Sequence, residues 1–206
     1  MAAMLDAFDE TYVPLSPQQR TIDEVHTNGL WHQTFACWLI KPSSATIFFQ
    51  LRGPKNRIDP GSYDASASGH LDAGEKPDDG FRELEEELGI KPHSINKHYL
   101  GIYRNIAIRG AYINHEFCHV YTALIKDNDA IFSLQEGEVD GLEELSIQEV
   151  IDLLTQKRDS VISSSGKIIR ISNLCNWRER TLTSNYYLKI MLCAQDILQG
   201  KAVVVL

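Results

Sequence analysis

The stretch between Gly69 and Ile90, GHLDAGEKPDDGFRELEEELGI, predicts a short acidic helix that follows a glycine-bearing loop. Pro77 and the two aspartates after it suit a first helical turn, since proline there loses no hydrogen bond and acids favour the positive helix end. Gly89 lies where a helix commonly ends, so we expect the helix to run from Pro77 to Leu88. Because an α-helix turns about 100° per residue, three carboxylates spaced i, i+3 and i+4 share one face: Glu83, Glu86 and Glu87.

This acidic face indicates a site for a divalent cation. Three like charges on one exposed face are unfavourable by themselves, at about 0.2–0.5 kcal/mol per pair. A bound Mg²⁺ or Mn²⁺ reverses that cost, and Mg²⁺ in proteins typically takes a few carboxylates, several waters and phosphate oxygens of a substrate. Arg82, on the same helix, can orient one of the carboxylates. A solvated acidic surface is the alternative interpretation of the same spacing.

The whole segment resembles the Nudix box, G-x5-E-x7-R-E-U-x-E-E-x-G-U, in which U is aliphatic. The matching positions are Gly69, Glu75, Arg82, Glu83, Leu84, Glu86, Glu87, Gly89 and Ile90. One departure is that six residues, not seven, separate Glu75 from Arg82, which leaves the position of Glu75 open. The resemblance implies that the three helix glutamates bind the metal, that Arg82 orients a glutamate by ion pairing, and that Gly69 lets the backbone approach the metal. It also implies that Glu83, or a carboxylate further along the chain, activates water.

The order of predicted elements indicates an α/β (α+β) fold. Aromatic and β-branched residues predict strands over residues 34–40, 46–51, 97–106, 112–125 and 138–145. Helices are expected from Ser146, with Glu149 at capping-box spacing, and from Ser184 to Gln199. Such an order fits a mixed β-sheet flanked by helices on both faces, which is also the Nudix-type α/β/α sandwich that the resemblance implies. We expect an N-terminal extension, polar and extended, over residues 1–30, a Nudix domain over 31–157, and a C-terminal helical extension packed on the same domain over 158–206.

Net charge and amino-acid composition limit the kinds of molecule that we expect the protein to bind. A net charge of -8 and a pI near 5.3 argue against a surface that coats nucleic acid, but not against a small-molecule diphosphate whose charge a metal neutralises. Four widely spaced cysteines form no zinc or redox pair, so we expect reduced thiols and a cytoplasmic protein. No apolar run reaches the length of a membrane span. The resemblance also allows a homodimer.

A second constellation could also hold a metal: His26, His32, His70 and Glu116. Imidazoles and carboxylates in one site suit Mn²⁺, Zn²⁺ or Fe²⁺, although scattered histidines more often satisfy local partners. The pattern LWH-x-x-F-x-x-W-L, followed by Ser-Gly-His, is similar to isopentenyl-diphosphate isomerase, a Nudix relative that binds a metal with three histidines and two glutamates. Ser68 stands where that enzyme carries its catalytic cysteine, and Asn114 stands where its other glutamate is expected. A serine hydroxyl is far less acidic than a thiol, so hydrolysis is favoured over isomerisation.

Candidate substrate contacts lie in the loops around the box. Arg52, Lys55 and Arg57 could grip distal phosphates, and Gly69 and His70 would also lie beside the substrate. Glu138 is the candidate general base outside the box. The sequence therefore predicts a Mg²⁺- or Mn²⁺-dependent hydrolase that cleaves a diphosphate linkage in a nucleoside-diphosphate-type substrate. An enzyme like isopentenyl-diphosphate isomerase and a non-catalytic ligand-binding domain are the alternatives.

Overall fold

The computed structural model describes residues 3–92, 95–126, 131–175, 180–201 and 203–206, with residues 180–185 described by their backbone alone. Nine strands of this part form one mixed sheet: β1 (Met4–Phe8), β2 (Pro14–Thr21), β3 (Trp31–Lys41), β4 (Thr46–Arg52), β5 (Tyr63–Asp64), β6 (Ala67–His70), β7 (Asn96–Arg109), β8 (Tyr112–Leu124) and β9 (Val139–Ser146). Its α-helices are α1 (Ile22–Asn28), α2 (Arg82–Leu88), α3 (Ile147–Leu154) and α4 (Arg180–Leu198). A separate hairpin joins β10 (Val161–Ile162) to β11 (Ile168–Ile169), and 3₁₀ turns lie at Pro77–Phe81 and Ile171–Asn173.

Strand β3 organises the sheet. It pairs in parallel with β8, from Trp31 opposite His115 to Ile40 opposite Leu124. On its other side β6 runs antiparallel to it, with Thr34 opposite His70, and β1 and β4 pair with its two ends. A strand covered on both faces needs a near-continuous apolar run, and the sequence TFACWLI supplies one.

The two faces of β3 contribute to two hydrophobic cores, because successive side chains of a strand point to opposite sides. Phe35 and Leu39 pack in the cluster that contains α2. Trp38 and Ile40 pack in the cluster that contains α3 and α4. The predicted mixed sheet flanked by helices on both faces is therefore confirmed.

The acidic helix is divided rather than continuous from Pro77 to Leu88. Its first turn is the 3₁₀ turn, and α2 begins only at Arg82. Within the 3₁₀ turn Gly80 lies so close to β3 that a Cβ there would be 2.5 Å from the Phe35 ring. Gly89 ends α2 in the left-handed region with φ +73°, as the sequence predicted.

The N-terminal part of the chain carries more structure than the sequence indicated. Residues 1–30 are not only an extended lead-in, because β1 and β2 join the sheet and α1 follows with a capping box between Thr21 and Glu24. At the other end the Leu206 N–H donates to the carbonyl of Leu100 at 2.8 Å, which docks the tail beside β7. The division at residues 30 and 157 stays a prediction.

Among the described helices, none combines the length and the apolar character that crossing a bilayer requires.

Candidate active site

Arg82 is the centre of an ion-pair network at the start of α2. Its Nε lies 2.9 Å from Glu75 Oε1, and its Nη1 lies 2.7 Å from Glu83 Oε1 and 3.3 Å from Glu86 Oε2. Its Nη2 donates to the His70 carbonyl at 2.9 Å, which ties the helix to the end of β6. The one-residue shortening of the box therefore leaves Glu75 against Arg82.

Gly69 and Glu83 approach each other closely. A Cβ on residue 69 would collide with Oε1 of Glu83, so only glycine leaves room for the carboxylate at this point of β6. Glu83 is buried, and burial raises the pKa of its carboxyl group to about 7 despite the neighbouring Arg82 guanidinium. Because residue 69 is a glycine, the Glu83 carboxylate can lie directly against the backbone of β6.

Glu87, one turn further along α2, is held by two donors on the same oxygen. The Ser68 backbone N–H and the Gln50 side-chain amide each donate to Oε2 at 3.0 Å. Burial, followed by the repulsion of Glu83, raises the pKa of Glu87 to about 8. The pKa values of these two neighbouring buried carboxylates stay raised although Arg82 pairs with Glu83, and a divalent cation would supply the further positive charge that such a pair favours.

All three helix carboxylates border one cavity of about 550 Å³. Glu86 is half-exposed at its rim, with 51% of its side chain accessible, whereas Glu83 and Glu87 are buried. Glu138, in the turn before β9, borders the same cavity and is half-buried. The structure therefore places every carboxylate predicted for catalysis around one space.

The three basic residues expected to contact phosphates also border this cavity, and each has a protein partner. Arg52 lies 3.3 Å from Asp64 and is mostly buried. Lys55 Nζ donates to a backbone carbonyl at 2.9 Å, and exposed Arg57 lies 3.1 Å from Asp23. Arg57 can exchange its exposed ion pair for phosphate at little cost, since such pairs contribute about 0–1 kcal/mol, and exposed Lys55 would give up a single hydrogen bond.

Three of the four members of the second constellation come together. Ligand nitrogens of His26, His32 and His70 lie within 4.8 Å of one another, and Nε2 of His70 is 3.3 Å from Nε2 of His26. Burial lowers the pKa of all three, that of His32 to about 3, so these imidazoles are neutral at pH 7. Glu116 is not in this group; its carboxylate accepts from Asn105 Nδ2 at 2.6 Å.

The sequence analysis did not identify Gln50, which holds a candidate metal ligand. The sequence did contain a signal, because Gln50 interrupts the apolar strand TIFFQL. In the structure this residue is only 1% exposed. A buried amide needs hydrogen-bond partners, so a polar residue inside an apolar strand points to a site. The sequence analysis also did not identify Asn105, which donates to Glu116, because no local sequence pattern marks it.

The mixed sheet between helices and the buried carboxylates Glu83 and Glu87 on one cavity fit the class of hydrolases that act on pyrophosphate linkages. The family model for the NUDIX domain matches residues 30–164, and the chain belongs to the Nudix hydrolase family. It is 36% identical over 200 residues to an uncharacterized Nudix hydrolase of Clostridium acetobutylicum, covering 92% of this chain and 95% of that protein.

Two further similarities fit the sequence analysis. The chain is 31% identical over 125 residues to an isopentenyl-diphosphate Delta-isomerase of Corynebacterium diphtheriae, covering 58% of this chain and 66% of the isomerase. A crystal structure of a Deinococcus radiodurans protein superposes with a TM-score of 0.57 at 20% identity, covering 74% of this chain and 89% of that one. That superposition supports the fold alone.

Proposed function

We propose that the protein is a divalent-cation-dependent hydrolase that cleaves the diphosphate linkage of a nucleoside-diphosphate-type substrate. The observation that carries the proposal is the buried pair Glu83 and Glu87, whose carboxyl pKa values are raised and which border the 550 Å³ cavity. Burying two carboxylates side by side is unfavourable unless a cation or protons neutralise them. If Glu83 and Glu87 served only as polar surface residues, their carboxylates would be exposed to solvent.

The residues that would hold Mg²⁺ or Mn²⁺ are Glu83, Glu86 and Glu87. Bound there, the cation supplies charge neutralisation to a diphosphate and lowers the pKa of a coordinated water. The chain itself supplies the rest of the arrangement: Arg82 bonds Glu83 and Glu86, and Gly69 makes space for the Glu83 carboxylate. These contacts fix the carboxylates before substrate arrives, which is the preorganisation that favours catalysis.

Glu138 is the carboxylate that we assign to proton removal from the attacking water, with Glu83 as the alternative. Glu138 lies outside α2 and borders the cavity, so it can accept a proton without giving up a place in the carboxylate cluster. Lys55 and Arg57, at the cavity mouth, would contact distal phosphates, with Arg52 deeper in the wall. Gly69 and His70 would lie along the substrate beside α2.

The cluster of His26, His32 and His70 is a second proposed metal site, separate from the carboxylates. Neutral imidazoles with ligand atoms within 4.8 Å suit Zn²⁺, Mn²⁺ or Fe²⁺. Metal analysis of the purified protein beside the His32→Asn variant tests this site, and equal metal content in both would contradict it. The expected homodimer and the cytoplasmic location stay predictions.

The main experiment is a screen for phosphate release and for mass-resolved products with Mg²⁺ or Mn²⁺. The panel covers nucleoside diphosphate sugars, dinucleotides, nucleoside triphosphates, coenzyme A and isopentenyl diphosphate, with Glu86→Gln as the matched variant. Cleavage that disappears in Glu86→Gln supports the proposal and identifies the substrate class. Isomerisation of isopentenyl diphosphate without cleavage supports the isomerase-like alternative. Cleavage that is unchanged in the variant would refute the assignment of the carboxylates.

A further inference from the structure

The segment beyond residue 164 contributes to the wall of the candidate active site. The NUDIX family model ends at residue 164, yet three described residues beyond it border the cavity: Cys175, Tyr186 and Tyr187. Tyr187, on α4, is 2% exposed, and its ring packs against Trp38 and Phe49. A tyrosine this deeply buried needs a partner for its hydroxyl group. The segment therefore brings a buried hydroxyl group to the cavity wall.

The Tyr187 hydroxyl group donates to the carboxylate of Asp64. The distance from the hydroxyl oxygen to Asp64 Oδ1 is 3.1 Å, shorter than its 3.4 Å distances to two backbone carbonyl oxygens. The Ala65 N–H donates to the same carboxylate oxygen at 2.9 Å. Two donors on Oδ1 fix the orientation of the carboxylate, and Oδ2 is left for Arg52, whose Nη1 lies 3.3 Å away.

Arg52 is held at two of its three side-chain nitrogens. Its Nε donates to the Ile58 carbonyl at 3.0 Å and its Nη1 donates to Asp64, whereas Nη2 has no hydrogen-bond partner among the described residues. Burial disfavours the charge of Arg52, but the charges of Asp64 and Glu87, among others, outweigh this and raise its pKa, so the side chain stays a cation. Because Arg52 borders the cavity, its third nitrogen is available to an anion there, in a direction set by the other two.

The strand register places Arg52 beside the carboxylate end of the cavity. Gln50 on β4 is opposite Asp64 on β5, and Arg52 is two residues further along β4, so the three side chains lie on the same face of the sheet. Gln50 is the residue whose amide donates to Glu87. A diphosphate bound through a cation at Glu87 would therefore lie beside Arg52.

We infer that Tyr187 is a positioning residue for phosphate binding, acting through Asp64 on Arg52. The segment beyond residue 164 is then part of the active site and not only a cover over the hydrophobic core. The inference rests on the proposed function, because it takes the helix carboxylates as the place of the diphosphate. Without the Tyr187 hydroxyl group, Asp64 keeps its charge but loses one of the two contacts that set its direction, and Arg52 loses its fixed position.

The test is the substitution Tyr187→Phe, which removes the hydroxyl group and retains the packed ring. Binding of methylenediphosphonate, a diphosphate analogue that cannot be hydrolysed, is measured by calorimetry in the presence of Mg²⁺. We expect the dissociation constant to rise about five- to tenfold, the effect of one hydrogen bond. Tyr121→Phe is the matched control and should leave the constant unchanged, because buried Tyr121 also donates to an aspartate, Asp78, at 2.8 Å but does not border the cavity.

The Arg52→Gln background separates a positioning role from a general structural one. If Tyr187 acts through Arg52, Tyr187→Phe should weaken binding in the otherwise wild-type protein and add no further loss in Arg52→Gln. A loss of equal size in both backgrounds would show that the hydroxyl group acts on the fold as a whole, and it would overturn the inference. Thermal unfolding verifies that each variant is folded at the assay temperature, and the comparison of Tyr187→Phe with Tyr121→Phe stands without the Arg52→Gln protein.

Steady-state kinetics give a second readout. For a substrate found in the hydrolysis screen, Tyr187→Phe should raise KM with kcat nearly unchanged, since Arg52 would hold the phosphate in both the ground state and the transition state. A fall in kcat at unchanged KM, equal binding of methylenediphosphonate by Tyr187→Phe and wild-type protein, or no binding by wild-type protein overturns the inference. Weaker binding by Tyr187→Phe, with no cleavage of any substrate by wild-type protein, supports the positioning role while the proposed hydrolysis fails.

Discussion

Gln50 donates its side-chain amide to Oε2 of Glu87 at 3.0 Å, and both residues are buried. The backbone N–H of Ser68, on β6, donates to the same oxygen, so this oxygen has two donors. Two donors on one carboxylate oxygen fix the orientation of the group, and they leave Oε1 as the oxygen available to a cation. Gln50 is therefore a positioning residue for a proposed metal ligand.

Gln50→Leu should weaken cation binding more than it slows the chemical step. The substitution removes one of the two donors on Glu87, and outer partners of metal ligands typically contribute about 10–100-fold to metal affinity. We expect the Mg²⁺ concentration for half-maximal activity to rise at least about tenfold, with kcat at saturating Mg²⁺ reduced less. The measurement is a Mg²⁺ titration of the activity.

Gln148→Leu is the matched control, because Gln148 is exposed on α3. It should leave the Mg²⁺ titration unchanged. A Gln50→Leu protein with wild-type Mg²⁺ dependence and wild-type kcat would show that the hydrogen bond has no role in positioning.

Gly69→Ala should abolish most of the activity while the protein stays folded. A methyl group at this position would occupy the space of the Glu83 carboxylate, so the carboxylate must move away from β6. Shifts of about 1 Å in a catalytic group can cost about 100-fold in rate. Gly141→Ala on β9 is the control, since a Cβ there meets no atom closer than 3.7 Å. Equal activities of the two variants would contradict the close-approach role.

The acidic face of α2 could be predicted from the sequence because its information is local. The i, i+3, i+4 spacing places the carboxylates together whatever the rest of the fold does. Gln50 could not be paired with Glu87 in the same way, since they lie 37 positions apart and only the tertiary fold brings the two side chains together. Periodicity also failed to show the 3₁₀ turn, which accompanies the close contact between Gly80 and Phe35.

The three clustered histidines show a second limit on what can be predicted from the sequence. His26 and His70 are 44 residues apart, and no local rule joins them; family resemblance did so, and the structure places their nitrogens 3.3 Å apart. The helix that carries His26 was nevertheless missed, although Thr21 and Glu24 have the spacing of a capping box. That signal was readable in the sequence. The separation of Glu116 from the histidine cluster could not be read from the sequence, because it depends on the directions of the side chains.

Arg82→Lys should lower activity by about tenfold or more, although the positive charge is retained. The guanidinium contacts Glu75 through two nitrogens and also reaches Glu83 and Glu86, and a lysine ammonium cannot span these positions. We expect a lower midpoint of thermal unfolding as well, because a part of the network loses its donor. Steady-state kinetics and a thermal melt measure the two effects.

Arg158→Lys serves as the control for this substitution. Arg158 pairs with Glu149 on α3 at 2.6 Å, so it too is an arginine in an ion pair, but it does not border the cavity. Its replacement should leave activity unchanged. If Arg82→Lys were as active as Arg158→Lys, simple charge at position 82 would suffice and the network geometry would not matter.

His119 should contribute to acid sensitivity of the fold. Its Nε2 lies 2.9 Å from the Gln33 side-chain oxygen, and its Nδ1 lies 3.1 Å from the Tyr99 hydroxyl. A neutral imidazole satisfies both contacts by donating from Nε2 to Gln33 and accepting at Nδ1 from Tyr99. Burial lowers the pKa of His119 from 6.5 to about 4 in the folded protein.

The sign of the pH effect follows from this lowered pKa. Between pH 6.5 and 4 the unfolded chain binds a proton at His119 that the folded protein does not, so the free energy of unfolding falls as the pH falls through this window. Above pH 6.5 neither state is protonated and the residue adds no pH dependence. His119→Gln removes this contribution, and we expect the slope of stability against pH to become shallower by up to about 1.4 kcal/mol per pH unit. Urea denaturation from pH 4.5 to 7.5 measures the slope, and identical slopes in the two proteins would contradict the assignment.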